Sequence, residues 1–108
     1  MKKYNYDEAL SASLEYFSGD ELAANVFVNK YALRDNDGDF VELTPDDMHR
    51  RLAKEFARIE EKYPNPMSES DIYDLLKGFK KIIPQGSPMS AIGNNAKVQS
   101  LSNCFVIE

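Results

Sequence analysis

At 108 residues, of which 43% are hydrophobic, the chain is long enough for one modest core and too short for two. Its net charge of −5 offers no basic surface to a phosphate backbone, which argues against unaided nucleic-acid binding. The single cysteine excludes an internal disulfide and a cysteine-based zinc site. The sequence contains neither a signal-peptide apolar region nor a membrane span of about 18 apolar residues. We therefore expect a cytosolic protein without a membrane partner.

The first third of the chain predicts a pair of helices followed by a turn. Residues 7–17 carry apolar side chains at helical spacing, Gly19 ends this helix, and Asp20 is the expected N-cap of a second helix. The apolar residues of that second helix are Leu22, Val26, Phe27 and Leu33. The polar segment RDNDGDFVEL then predicts a tight turn or a small hairpin. Its acidic residues suggest calcium as an alternative, but the EF-hand spacing is missing, so we predict a plain turn and no metal site.

The clearest helix start is Thr44-Pro45, with Thr44 as N-cap and Pro45 at the first helical position. An apolar stripe follows at steps of three and four residues, and Pro64 is expected to end the helix. The stripe consists of Met48, Leu52, Phe56, Ile59 and Tyr63.

The opposite face of this helix carries charges of both signs, a pattern typical of a solvated surface. Its members are His49, Arg50, Arg51, Lys54, Glu55, Arg58, Glu60, Glu61 and Lys62. His49 is the only histidine and has no second ligand or nucleophile near it in sequence, so we assign it no chemistry. A further helix is predicted from Ser68, with Asp71 completing a variant of the capping box, through Ile72, Leu75, Leu76 and Phe79.

The last quarter of the chain has a different character. The segment PQGSPMSAIGNNAKVQS is rich in turn-forming residues, and its Met89 and Ile92 favour an ordered loop over a linker. The chain then ends in QSLSNCFVIE, whose continuous apolar run at 105–107 is typical of a strand that is buried on both sides. No other segment predicts a parallel partner, so we expect this strand to pair with strands that this sequence does not contain.

Three segments of the sequence resemble the amino-terminal part of the large catalytic subunit of ribonucleotide reductase, and are most similar to its adenosylcobalamin-dependent class II branch. These segments are ELAANVFVNKYALRDNDGD, LTPDDMHRRLAKEFARIEEKYP and KKIIPQGSPMSAIGNNAKVQSLSNCFVIE. The resemblance implies a mainly α fold with two parts. Residues 1–83 would be the helical amino-terminal domain, and residues 84–108 would supply a substrate loop and the first strand of a ten-stranded α/β barrel that is incomplete here.

The resemblance also implies roles for individual residues. Cys104 would be one half of the cysteine pair that reduces the ribonucleotide and closes to a disulfide. Ser87 would be the first substrate contact, Asn103 would contact substrate through its backbone, and Ser102 would share the lumen face with Cys104. Adenosylcobalamin is the implied cofactor, with its site outside this chain. The implied partner is the remaining ribonucleotide reductase polypeptide with the rest of the barrel, without which we expect no activity.

Without the resemblance, the same residues have simpler interpretations. A lone buried cysteine is usually a small hydrophobic side chain, and glycine and serine often serve turn geometry alone. The helices before Pro84 would then form an autonomous module that binds a protein partner and has no catalytic role.

Overall fold

The computed structural model describes residues 3–84 and 86–94. This part of the chain is mainly helical, as predicted, whereas the predicted strand around Cys104 lies outside the described residues. Its elements are α1 (Tyr6–Tyr16), α2 (Glu21–Val26), a π-helical segment (Phe27–Tyr31), α3 (Pro45–Glu60), α4 (Glu69–Leu76), a 3₁₀ turn (Lys77–Phe79) and α5 (Gly86–Ala91). In the described ranges every helix is too short or too polar to cross a bilayer.

Side-chain caps define the two ends of the first helical pair. Asn5 begins α1 with a capping box, because its side chain accepts from the Glu8 N–H at 2.8 Å and the Glu8 carboxylate accepts from the Asn5 N–H at 3.1 Å. Gly19, at φ +90°, supports the left-handed turn between the helices. Asp20 caps α2 as predicted, accepting from the Ala23 N–H at 3.1 Å.

The α2 helix continues without a break into the π-helical segment. Its wider turn is closed by a 3.0 Å hydrogen bond from the Ala32 N–H to the Phe27 carbonyl, five residues back. Phe27 and Val28 are buried. Leu22, which was predicted among the apolar residues of this helix, is 75% exposed and lies outside the core.

The polar segment after the π-helical segment forms the predicted turn. The Gly38 N–H donates to the Asp35 carbonyl at 3.1 Å, and isolated antiparallel bridges join Phe40 to Arg34 and to Tyr4. Among the described residues these bridges are all the β structure there is, so the turn ties the start of the chain to the segment before α3.

The α3 helix begins as predicted, with the Asp47 carboxylate accepting from the Leu43 N–H at 2.9 Å in front of Pro45. It ends at Glu60, four residues before the proline that was expected to end it. The apolar stripe is buried only in its first half. Met48 and Leu52 are fully buried, whereas Ile59 and Tyr63, at the far end, are 37% and 60% exposed.

The core forms where α3 packs against α4, and apolar side chains of α1 and of the π-helical segment belong to the same cluster. Ser68 begins α4 by accepting from the Asp71 N–H at 3.1 Å. Tyr73 of α4 donates to the Asp46 carboxylate of α3 and lies under the Arg50 guanidinium, 4.4 Å from ring centroid to Cζ. The buried apolar residues of this cluster are Ala9, Phe27, Val28, Ala32, Phe40, Met48, Leu52, Ala53, Ile72, Leu76 and Met89.

Candidate functional site

The segment that was predicted as an ordered loop contains a short helix, α5. Its backbone turn continues past Ala91, since the Ile92 N–H donates to the Pro88 carbonyl at 3.1 Å. Met89 is buried in the core, and α5 packs against the π-helical segment. The sequence prediction of order was therefore right, and the prediction of a loop was wrong for Gly86–Ala91. The burial of Met89 stabilises a helix that the local composition does not favour.

The residues predicted to touch substrate lie mostly outside the described part of the chain. Ser87 belongs to α5, but its side chain is not described. Ser102, Asn103 and Cys104 fall in the range 95–108, also outside the described residues. Their catalytic and substrate-binding roles therefore stay predictions.

What the structure does describe is how the end of α5 is held by Arg51 of α3. One terminal nitrogen of the guanidinium donates to the Met89 carbonyl at 2.6 Å, and the other donates to the Ile92 carbonyl. The last carbonyls of a helix have no partners within it, so a cationic donor at this point satisfies groups that would otherwise be buried and unpaired. Arg51 thus joins α3 to a segment 38 to 41 residues further along the chain.

The third nitrogen of the Arg51 guanidinium, Nε, donates to Glu42. The Arg51 Nε lies 2.8 Å from Glu42 Oε2, and the two side chains are only 9% and 5% exposed. The other carboxylate oxygen, Oε1, accepts from the Leu33 N–H at 3.0 Å. Both members of this buried ion pair therefore have hydrogen-bond partners in addition to each other, which is the condition for tolerating buried charge. We call Glu42, Arg51 and the Met89 and Ile92 carbonyls the Arg51 cluster.

Gly93 allows the chain to pass close to the Arg51 side chain. Its φ is +79°, and a Cβ atom at this position would lie 2.9 Å from Arg51 Cγ, closer than carbon atoms normally approach. Glycine is therefore required here both by backbone conformation and by space.

Sequence reasoning missed this cluster by assigning Arg51 to the solvated face of α3. That assignment was wrong for His49, which is fully buried, and for Arg51, whose side chain is only 9% exposed, whereas it holds for exposed Arg50 and Arg58. One signal was available: Arg51 stands three residues after Met48 and one before Leu52, a spacing that places it beside the buried stripe. The sequence contained no indication of which distant carbonyls would meet it.

A cleft of about 440 Å³ has walls from the π-helical segment, the polar turn and the α5 segment, which contributes Ser90 and Asn94. Lys30, Arg34 and Asp35 also line it. The cleft thus contains hydroxyl, amide and cationic groups, the kinds of group that bind the phosphate and ribose of a nucleotide, together with one carboxylate.

His49, which we assigned no chemistry, is fully buried. Among the described residues neither ring nitrogen has a hydrogen-bond partner, and the ring packs edge-on against Phe79. Burial lowers the pKa of His49, while the nearby Asp46 carboxylate opposes this shift. The neutral, sealed imidazole is a packing element of the core.

Metal-ligating side chains converge at one place in the described ranges, the polar turn. Carboxylate oxygens of Asp35, Asp37 and Asp39 lie within 4.8 Å of one another. The Lys3 ammonium stands among them, 2.9 Å from Asp35, 3.5 Å from Asp37 and 3.8 Å from Asp39. The hydrogen bond from Lys3 holds the pKa of Asp35 below its usual value. A side chain of this protein therefore supplies one positive charge that offsets part of the negative charge of the three carboxylates.

Comparison with known protein families identifies the family of this helical unit. The family described as "Ribonucleotide reductase, all-alpha domain" matches residues 17–95, which include α2 to α5 and every residue of the Arg51 cluster. A search of curated proteins and a search of solved structures gave no match. The match covers most of the chain and agrees with the mainly helical fold, and the chain belongs to the ribonucleotide reductase all-alpha domain family.

Proposed function

We propose that this domain is the amino-terminal helical part of a ribonucleotide reductase catalytic subunit, and that it delivers the first barrel strand with its redox cysteine, Cys104. Family membership already links the domain to an oxidoreductase of deoxyribonucleotide synthesis. The single observation that carries the finer proposal is the family match over residues 17–95, which ends three residues before the segment QSLSNCFVIE. The domain boundary between residues 83 and 84 and the incomplete barrel that follows it belong to this proposal.

The reaction assigned to Cys104 is the reduction of the ribose 2′ carbon. A thiyl radical elsewhere in the barrel removes the 3′ hydrogen, the 2′ hydroxyl leaves as water, and two thiols supply two electrons and two protons as they close to a disulfide. The 3′ hydrogen then returns from the radical cysteine. The resemblance, by the position of Cys104 in QSLSNCFVIE, makes Cys104 one of the two reducing thiols, and such a pair is reset by exchange with an external dithiol.

Three further residues belong to the proposed substrate site. Ser87 binds the nucleotide through its hydroxyl, Asn103 binds through its backbone, and Ser102 faces the barrel lumen on the same side as Cys104. This proposal is supported by the cleft that Lys30 and Arg34 line together with Ser90 and Asn94 of the α5 segment, which also carries Ser87.

Adenosylcobalamin is proposed as the cofactor that generates the thiyl radical, on the basis of the resemblance to the class II branch. The described residues do not fit a role in binding it. His49 is the only histidine and is sealed in the core, and it is also the only described side chain with buried polar atoms that lack partners. We therefore assign the cofactor to the partner part of the enzyme, and no step here depends on it.

The partner in this proposal is the polypeptide segment that carries the remaining barrel strands, the second reducing cysteine and the radical cysteine. Its first contact would be with the Cys104 strand, whose backbone groups need strand neighbours. We propose a cytosolic location for the assembled enzyme, because its dithiol chemistry requires a reducing compartment.

Reconstitution tests this proposal directly. The chain is mixed with the polypeptide carrying the rest of the barrel, adenosylcobalamin, a dithiol and a ribonucleotide, and deoxyribonucleotide formation is measured by chromatography. We expect activity in the mixture, loss of activity for Cys104→Ser, and unchanged activity for the control Ser11→Ala, whose exposed side chain lies on α1. Activity that survives Cys104→Ser would remove Cys104 from the mechanism.

An autonomous interaction module is the second candidate, and one observation favours it. An apolar groove of about 450 Å³ lies between the far end of α3 and α4, with partly exposed Ile59, Tyr63, Met67 and Ile82 along it. A module of this kind needs no barrel, so it should remain folded and bind its partner after removal of residues 95–108. The cut is placed after Asn94 because Met89 is part of the core and Ile92 is bound by Arg51.

A further inference from the structure

We propose that Arg51 is a positioning residue, which fixes the orientation of α5 and of the chain as it leaves that helix at Gly93. This segment carries Ser87 and leads toward Cys104. The consequence for catalysis rests on the proposed function, whereas the effect on the segment itself can be measured without it.

The first argument is geometric. Arg51 donates from its two terminal nitrogens to the carbonyls of Met89 and Ile92, which lie three residues apart and face the same side of the helix end. A guanidinium is planar and its N–H groups point in fixed directions, so both bonds form together in one orientation of α5. Rotating the helix by one residue, about 100°, would turn both carbonyls away from their donors.

The second argument is that Arg51 is itself held in place. Its Nε is bound by Glu42 at 2.8 Å, and Glu42 is in turn bound by the Leu33 N–H at 3.0 Å. The Arg51 side chain is only 9% exposed, and its ion pair with Glu42 holds it in this orientation. The orientation of α5 thus depends on α3, which carries Arg51, and on Glu42, which holds the Arg51 side chain.

The third argument is the close approach at Gly93. The chain passes Arg51 with no room for a Cβ atom, which would lie 2.9 Å from Arg51 Cγ. Any side chain at position 93 would push the backbone and Arg51 apart without removing a charge. Gly93→Ala therefore disturbs the position of the segment while keeping every hydrogen-bonding group of the Arg51 cluster.

A matched control for this variant exists at Gly19. Both glycines have positive φ values, +79° at Gly93 and +90° at Gly19, so alanine introduces similar backbone strain at each. A Cβ atom at Gly19 meets nothing within 4 Å, whereas at Gly93 it meets Arg51. A difference between the two variants in amide exchange or in KM therefore reports the contact of the added Cβ atom with Arg51.

Hydrogen–deuterium exchange on the full chain measures the effect on the segment. For Arg51→Lys and Gly93→Ala we expect the amides of residues 86–94 to exchange faster, by about tenfold or more, because charge-assisted bonds that close the segment are lost or weakened. Exchange in α1 should remain as in the unmodified chain, and Gly19→Ala should leave residues 86–94 unaffected. Unchanged exchange at 86–94 in Gly93→Ala, or an equal increase along the whole chain, would overturn the inference.

Kinetics of the reconstituted enzyme measure the effect on the reaction. We expect Gly93→Ala and Arg51→Lys to raise KM for the ribonucleotide by about tenfold or more, since small misplacements of a binding group have effects of this order. Gly19→Ala should keep the KM of the unmodified enzyme. Equal KM values for Gly93→Ala and Gly19→Ala would contradict a positioning role. If the unmodified mixture forms no deoxyribonucleotide, the proposed function fails, and the exchange measurement alone decides whether Arg51 orients the segment.

Discussion

The imidazole of His49 stands edge-on against the ring of Phe79, with 4.5 Å between the ring centroids and 74° between the ring planes. His49 comes from α3, and Phe79 comes from the 3₁₀ turn after α4, where it adopts a φ of +56°. The contact thus brings the end of α4 onto the buried face of α3. It also leaves a titratable ring in the core without a hydrogen-bond partner among the described residues.

The first prediction concerns the pH dependence of stability that follows from His49. Burial lowers its pKa in the folded chain below the ordinary value of 6.5, so the unfolded chain binds a proton at a higher pH than the folded chain does. The free energy of unfolding should therefore decrease as the pH falls below about 6.5. Urea unfolding at a series of pH values between 5 and 8 measures this, and His49→Phe should abolish the dependence.

The nearby Asp46 carboxylate does not obscure that measurement. Burial raises the pKa of Asp46, but the hydrogen bonds from Tyr73 and Arg50 outweigh it and leave the pKa below the ordinary 3.8. The stability that this group contributes is present above pH 3.8 and is lost only as the pH falls further, through its lowered pKa. A pH dependence between 5 and 7 that persists in His49→Phe would show that another group is responsible.

The second prediction concerns the stability of the Arg51 cluster. Glu42→Ala leaves the Arg51 charge buried without its carboxylate, so we expect a loss of about 3–5 kcal/mol in the free energy of unfolding. Chemical denaturation measures the loss. The control is Arg58→Ala, which breaks an ion pair with Glu55 in which the Arg58 side chain is 61% exposed. Exposed pairs contribute about 0–1 kcal/mol, and equal losses in the two variants would contradict the burial argument.

The third prediction concerns the core of α3. Leu52 is fully buried, so Leu52→Ala should lower the free energy of unfolding by about 2–5 kcal/mol through lost contacts and a new cavity. Leu22→Ala makes the same chemical change at a side chain that is 75% exposed, and its effect should stay within about 0.5 kcal/mol. Thermal unfolding of both variants compares them. Similar losses would mean that Leu22 is covered in solution.

The fourth prediction concerns the start of α4. Ser68 caps the helix by accepting from the Asp71 N–H at 3.1 Å, so Ser68→Ala should cost about 1 kcal/mol of unfolding free energy. Ser70→Ala, two residues further on and exposed, removes a hydroxyl without removing the cap, and the better helix propensity of alanine should leave stability equal or slightly higher. Urea midpoints distinguish these outcomes, and an unaffected Ser68→Ala would show that the cap contributes nothing.

The elements with local signals were predicted well from sequence. Asp20 and Ser68 mark helix starts because their side chains satisfy N–H groups within the same turn, and that chemistry depends on neighbours in sequence alone. The turn at Gly38 is equally local. The end of α3 was less predictable, because the apolar stripe continues to Tyr63 in sequence while the helix ends at Glu60.

The features that sequence could not predict depend on distant partners. Arg50 and Arg51 are adjacent residues of the same type. The Met89 and Ile92 carbonyls bind the Arg51 guanidinium in the interior, whereas the Arg50 side chain remains exposed. Likewise, α5 is stabilised by burial of Met89, which its own composition does not reveal. Ser13 provides a third case, since its hydroxyl donates to the Leu43 carbonyl at 2.7 Å across 30 residues and is fully buried.

The π-helical segment marks a place where this domain can change in length by one residue. Its wide turn contains one residue more than an α-helical turn, because the Ala32 N–H donates to a carbonyl five residues back instead of four. Deleting a single residue within 27–31 would restore ordinary α-helical winding and keep the flanking residues in register. We therefore expect that homologous chains can be one residue shorter here without a compensating change elsewhere.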